Sequence, residues 1–176
     1  MEPAAAAQQG DTRAFEQLVR SHMQRAYYTT LGMIGNHADA LDISQNAFVK
    51  AWKNIRQLKD TSRFIPWFYT ILRRETMDHL RRNNRRHESS LSDHPFVINT
   101  PDESEQEKRQ QDETAEALWQ GLKQLPENQR EILIMQHFQE LRYAEIAETL
   151  DIPIGSVASR LYEARQALRR QLNGLL

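Results

Sequence analysis

Six arginines, Arg73, Arg74, Arg81, Arg82, Arg85 and Arg86, fall within 14 residues and are opposed only by Glu75 and Asp78. Guanidinium groups at that density match the footprint of a polyanion, since each stays charged and can pair with a phosphate. A solvated helix end running into a basic loop accounts for the charge equally well. Tyr69 stands one helical turn before Arg73, so an aromatic plane and a cation share a face that lies off the apolar stripe. Unstacked bases lie on aromatic planes while cations follow the backbone, which is the chemistry that single-stranded nucleic acid requires. A second set lies near the end of the chain. There, Ser156, Ser159, Arg160, Tyr162, Glu163, Arg165 and Arg169 recur at helical spacing, all able to bond base edges or phosphates.

Other chemistries are poorly served. The chain has no cysteine, which removes disulfides, thiol catalysis and sulfur-ligated zinc. Among its six histidines, His79, His87 and His94 are the candidate set for a metal-dependent hydrolase, and their spacing is not a recognised ligand pattern. The expectation is no enzyme, no metal, no cofactor and no small-molecule substrate. No apolar stretch approaches the roughly 20 residues that cross a bilayer. The opening MEPAAAAQQGDTRAFEQ lacks the basic segment and greasy core of a secretory signal, so a cytoplasmic chain is expected.

These side chains must be positioned by helices. Only six glycines and six prolines punctuate 176 residues, and no stretch alternates like a strand, so the fold class is all-α. The net charge of -1 conceals a basic first part and an acidic middle. Residues 88–111, rich in Ser, Asp, Glu and Gln, contain Pro95, Pro101 and one apolar cluster, Phe96 to Ile98. That composition predicts a flexible acidic linker between two small helical domains, 10–87 and 112–174.

In the first domain, Asp11 or Thr12 caps a helix with Phe15, Leu18, Val19 and Met23 inward, ending near Gly32 to Gly35. The next begins around Asp39, with Asp42 in a capping-box-like position. It turns Leu41, Ser44, Phe48, Trp52 and Ile55 to the core, with Asp42, Gln45 and Lys53 on another side. Pro66 sits in the first turn of a third helix, whose stripe is Phe64, Trp67, Phe68, Ile71 and Leu72. In the second domain, Ala115, Leu118, Trp119 and Leu122 mark one helix, and Pro126 begins another with Glu127 at its positive end. Tyr143 to Leu150, a tight turn over Asp151 to Gly155, and a helix from Ser156 with Val157, Leu161, Ala164 and Leu168 inward form a helix-turn-helix. A generic helical hairpin is the alternative.

DALDISQNAFVKAW followed by FIPWFYTILRRETMDHLRR resembles the D-A-x-D-x-x-Q-x-x-F-x-x-x-W and F-x-x-W-x-x-x-I segments of region 2 in bacterial RNA polymerase sigma factors. LPENQREILIM and YAEIAETLDIPIGSVASRLYEAR resemble their region 4. The ordered pair, over roughly 10–87 and 112–172, resembles the small extracytoplasmic-function group. That resemblance implies core RNA polymerase as a partner at Asp39, Asp42, Gln45, Phe48 and Lys53. It implies that Leu58, Lys59, Asp60, Thr61, Ser62, Arg63 and Phe64 form the loop that captures a flipped base of the minus-10 element, with Trp67, Tyr69, Arg73 and Arg74 along the displaced strand. It implies minus-35 duplex contacts from Arg142, Ser156, Ala158, Ser159, Arg160, Tyr162, Glu163 and Arg165. It also implies an anti-sigma factor, which in a membrane-anchored form would hold the chain at the inner membrane.

Three positions depart from the family pattern. Arg74 stands where Asn is frequent, and Ala158 and Glu163 replace residues that are often cationic. Ala158 can touch a thymine methyl and Glu163 can accept from a cytosine amino group, which implies an unusual minus-35 preference. A stand-alone helix-turn-helix regulator is the competing reading; it explains residues 112–172 and leaves Asp42, Gln45 and Tyr69 without a role.

Overall fold

A computed structural model describes residues 2–86, 117–139 and 141–173, and its regular structure there is helical throughout. The order is α1 (Pro3–Gln8), α2 (Thr12–Ile34), α3 (His37–Asn54), two 3-10 turns (Ile55–Gln57 and Thr61–Arg63) and α4 (Phe64–Arg86). Then come α5 (117–123), α6 (Glu127–His137), α7 (Tyr143–Leu150) and α8 (Ile154–Asn173). The linker expected over 88–111, with its Phe96 to Ile98 cluster, lies outside the described residues. So do His87, His94, Ala115 and the side chains of Arg85 and Arg86. Among the described residues no helix is long and apolar enough to cross a membrane.

Local chemistry sets the helix ends. Asp11 caps α2 by accepting the Arg13 and Ala14 amides at 2.9 and 3.1 Å. Gly35, at φ 70°, closes it in the left-handed region that glycine adopts without a Cβ clash. α3 starts at His37, earlier than Asp39, because the Asn36 side chain accepts the Asp39 amide at 3.0 Å and so supplies the cap. Pro126 stands as the N-cap of α6 and Glu127 is its first residue. The described helix α1 has no counterpart among the expected elements; it packs on α2 and on the two 3-10 turns.

Helices α2, α3 and α4 share a core of Phe15, Leu18, Ile43, Phe48, Phe68 and Leu72. Ala40, Ala47 and Ala51, each wholly buried, let α3 approach its neighbours closely, and the Phe48 and Phe68 rings stack at 4.2 Å. Burying one such ring contributes about 1.5–3 kcal/mol. Leu41, expected in this core, is 44% exposed. The small residues Ala40 and Ser44 carry the inner line of α3 instead, which rotates Leu41 onto the flank.

The second domain does not hang free of the first. α6 packs on α2, α7 packs on α4, and the buried side chains of both domains belong to one connected cluster. A smaller cluster of Met33, Met77 and Ile134 sits at the junction. Gly32 permits this approach: a Cβ there would lie 2.7 Å from Ile134 Cδ1 and 2.9 Å from Trp119 Cζ3. Polar bonds cross the junction as well, from Arg130 Nη1 to the Met33 carbonyl at 3.2 Å and from Gln139 Nε2 to Thr29 Oγ1 at 3.4 Å.

Candidate nucleic-acid interface

The helix-turn-helix is built as its sequence suggests. The Glu145 carboxylate accepts the Arg142 amide at 2.8 Å and opens α7. Asp151, at φ 54°, ends it in the left-handed conformation, and the Ile152 amide returns to the Ala147 carbonyl at 2.9 Å. Buried Ile146 and Ala147 then meet Val157, Leu161 and Ala164, all three at zero exposure. Packing on that side turns the opposite side of α8 outward. Ala158, Ser159, Arg160, Tyr162, Glu163 and Arg165 are exposed, Tyr162 by 64%, while Ser156 is half-buried. Arg142 is exposed at the start of α7. Arg165 lies close enough to His137 to hold its imidazole below the usual range, second to burial as a cause.

The loop of residues 58–64 is anchored at both ends. Leu58 and Phe64 are buried, so the side chains offered to solvent are those of Lys59, Asp60, Ser62 and Arg63, with Thr61 half-buried. Phe64 is buried, as its place on the apolar stripe requires, and Leu58 is buried too, so these two side chains anchor the loop and the exposed ones lie between them. Asp60 accepts the Ser62 hydroxyl at 2.7 Å and the Ser62 amide at 3.0 Å. Those two bonds hold its carboxyl below the usual carboxylate range.

Along α4 the outcome differs from expectation. Tyr69 is 1% exposed, not a surface ring, and Trp67 is half-buried. Tyr69 belongs to the shared core and lies against Phe68, on a helix that the second domain also meets through α7 and Glu131. Arg73, one turn beyond Tyr69, donates from Nε to Glu131 Oε1 at 2.6 Å and from Nη2 to Oε2 at 3.2 Å. This fork grips both carboxylate oxygens. Glu131 is nonetheless pushed up in pKa, because burial outweighs the bonding and charge of Arg73. Arg63 of the loop pairs with Glu148 of α7. Arg74 stays exposed. Two cations expected to face the minus-10 element, Arg63 and Arg73, are therefore paired with carboxylates of the other domain. Glu131 and Glu148 were not anticipated; the signal for Glu131 was an acidic residue opening the apolar run ILIM.

On α3, Asp42, Gln45 and Lys53 are exposed as expected. Asp39 is half-buried and lies 3.3 Å from His79 Nε2. Phe48 is buried, as its place on the inner side of α3 requires, and its ring lies at the floor of a groove between α2 and α3. Val19, Met23, Gln45, Val49 and Trp52 also line this groove, and Val49 is 50% exposed. Leu41 flanks a neighbouring hollow beside Met23 and Tyr27.

Two family models match the chain in order: sigma-70 region 2 over residues 18–86 and sigma-70 region 4 over residues 115–168. The chain is 31% identical to the RNA polymerase sigma-H factor of Pseudomonas aeruginosa, over 96% of this chain and 91% of that one. It is 28% identical to the extracytoplasmic-function sigma factor SigW of Bacillus subtilis, over 94% of this chain and 92% of that one. Its fold matches that of the sigma factor RpoE from Bartonella quintana, solved in complex with the anti-sigma factor NepR. That match has a TM-score of 0.78 at 21% identity, covering 92% of this chain and 98% of the other.

Proposed function

Because the chain belongs to the extracytoplasmic-function sigma factors of RNA polymerase, we propose how its two domains divide the work of promoter-specific initiation. Residues 10–87 bind core polymerase and engage the minus-10 element, residues 88–111 are the tether, and residues 112–174 read the minus-35 element. Gln45 lines the apolar groove between α2 and α3, and Asp42 and Lys53 are exposed on the same helix with Asp39 beside His79, which suits a polymerase helix with an apolar stripe and polar flanks. The exposed side of α8, from Ser156 to Arg165 with Arg142 beside it, enters the major groove of intact duplex.

Lys59, Asp60, Thr61, Ser62 and Arg63 face the minus-10 strand from a loop pinned by Leu58 and Phe64. Extruding a base costs a few kcal/mol of stacking, which contacts to the base and its strand must recover. Trp67, Tyr69, Arg73 and Arg74 supply such contacts once the second domain has moved off α4. Undocking frees Arg63 from Glu148 and Arg73 from Glu131, so cations held by carboxylates exchange them for phosphates. With both domains on one promoter, each raises the local concentration of the other. An anti-sigma factor that masks these faces holds the chain inactive, in the cytoplasm or at the inner membrane.

The observation that carries this reading is the ordered pair of regions in one chain, the second with its reading helix uncovered. Run-off transcription with core polymerase on a promoter library tests it. Selective start sites that depend on this chain are expected. Tight, specific binding of the free chain to an operator, with no stimulation of the polymerase, would replace it with the stand-alone regulator.

A further inference from the structure

Helix α1 packs on the two 3-10 turns that bracket the start of the minus-10 loop. Its Ala4 and Ala7 are buried, and Gln8, at its last position, turns its side-chain amide toward the loop. Gln8 Nε2 lies 2.6 Å from the Leu58 carbonyl and 3.2 Å from the Ile55 carbonyl. A primary amide carries two hydrogens, one for each oxygen. The Ile55 carbonyl also accepts the Leu58 amide at 3.1 Å, so Gln8 fastens a turn that is already closed on itself. Carbonyls at the end of a helix lack partners from the helix itself, and a side chain that supplies them fixes the path of the departing chain. Two residues on, Asp60 holds Ser62 by its side chain and Arg63 by its carbonyl, the latter at 3.0 Å. Gln8 thus holds the start of the loop and Asp60 holds its turn, with only Lys59 between the two sets of bonds.

We propose that Gln8 is a positioning residue for base recognition: it fixes the entry to residues 59–63 so that the loop is already in its reading arrangement when a base arrives. This rests on the assignment of those residues to the minus-10 strand. A loop ordered during folding loses no further conformational freedom on binding, and it presents one shape that fits some bases and rejects others. A loop released at Leu58 samples several shapes and discriminates less. Gln8 touches no DNA in this scheme; it acts through the loop backbone.

The test compares wild type with Gln8→Leu, which keeps the size of the side chain without its donors, and Gln8→Glu, which offers acceptors where donors are needed. Holoenzyme is assembled with each, and binding is measured to four single-stranded oligonucleotides that differ only at the captured minus-10 position, taken from a promoter selected by the wild type. Both variants are expected to lower the ratio of best to worst base about tenfold. Duplex discrimination at minus-35 and polymerase affinity should stay unchanged. In the free chain, amide exchange at Ser62 and Arg63 should accelerate about tenfold. Equal discrimination by wild type and Gln8→Leu overturns the proposal. A matching loss at minus-35 also overturns it, because that marks general destabilisation. A wild-type holoenzyme that reads no base from this strand removes the minus-10 assignment itself, and the proposal falls with it.

Discussion

Helices α8 and α4 both carry arginines beside a tyrosine, yet one face is open and the other shut. α8 packs on a single side, through Val157, Leu161 and Ala164, which leaves Tyr162 and Arg165 exposed. α4 is packed twice. Phe64, Phe68 and Leu72 meet the first domain, and Arg73 and Met77, on the line that continues from buried Tyr69, meet the second. A helical period within one domain identifies the inner face, but a second partner on the next face leaves no mark in that period. Under the proposed function, the difference would give two kinds of contact with a promoter: duplex reading that is available at once, and strand reading that waits for the domains to part.

The largest expected effect comes from breaking the pair that shuts α4. Arg73→Ala leaves the buried Glu131 carboxylate without its fork, a loss of about 3 kcal/mol or more against the docked arrangement. Small-angle scattering of the free chain should then show an expanded particle. Adding Glu131→Ala should restore compactness in part, because removing both charges costs far less than removing one. An unexpanded Arg73→Ala chain would mean that the apolar contacts alone hold α4 shut. Gly32→Ala probes those contacts. Its Cβ would press on Ile134 and the rigid Trp119 ring, an overpacking cost of about 1–3 kcal/mol. The same expansion should follow, with the helix content and the duplex affinity of α8 unchanged.

The sequence made the helices of each domain legible because their signals are local. Asp11 next to an apolar stripe, Gly35 at a helix end, and Ala147 facing Val157 across a tight turn each act over a few residues. The exposed face of α8 was legible for the same reason. The closure was not, since it depends on Gly32 fitting Ile134 and Arg73 finding Glu131, pairs separated by some 60 to 100 residues. Leu41 was misplaced on subtler grounds. Ala40 and Ser44 look neutral in a hydrophobic pattern but allow the closest helix approach, so the inner line of α3 passes through them. Helix α1 was missed because PAAAAQ is too short for periodicity to register.

A smaller effect should separate the two helices cleanly. Arg165→Ala removes one exposed cation from α8, for a loss of roughly tenfold in holoenzyme affinity for promoter duplex and a salt slope smaller by about one unit. Domain docking should be untouched, because this face lies away from the junction. Unchanged affinity at moderate salt would take Arg165 out of the duplex contact and leave Arg160 and Tyr162 to carry it.

The smallest effect concerns pH and decides what holds α4 shut. Burial raises the Glu131 carboxyl, the bonding and charge of Arg73 oppose this only in part, and the nearby Glu127 adds to the rise. The docked chain therefore keeps a proton that the separated chain releases once pH passes the ordinary value of 4.5. A state that binds more protons is favoured by acid, so this group's contribution to docking is complete below that value. It diminishes as pH rises through the window between the ordinary and the docked pKa, and levels off above it. Scattering or cross-linking across α4 and α7 should show slightly looser docking as pH climbs through that window, and Glu131→Gln should remove this component. Docking that tightens with rising pH instead would mean that attraction to Arg73 outweighs burial. Charge would then be the lock on α4, and the strand's phosphates would be competing for Arg73 against an ionised Glu131 throughout.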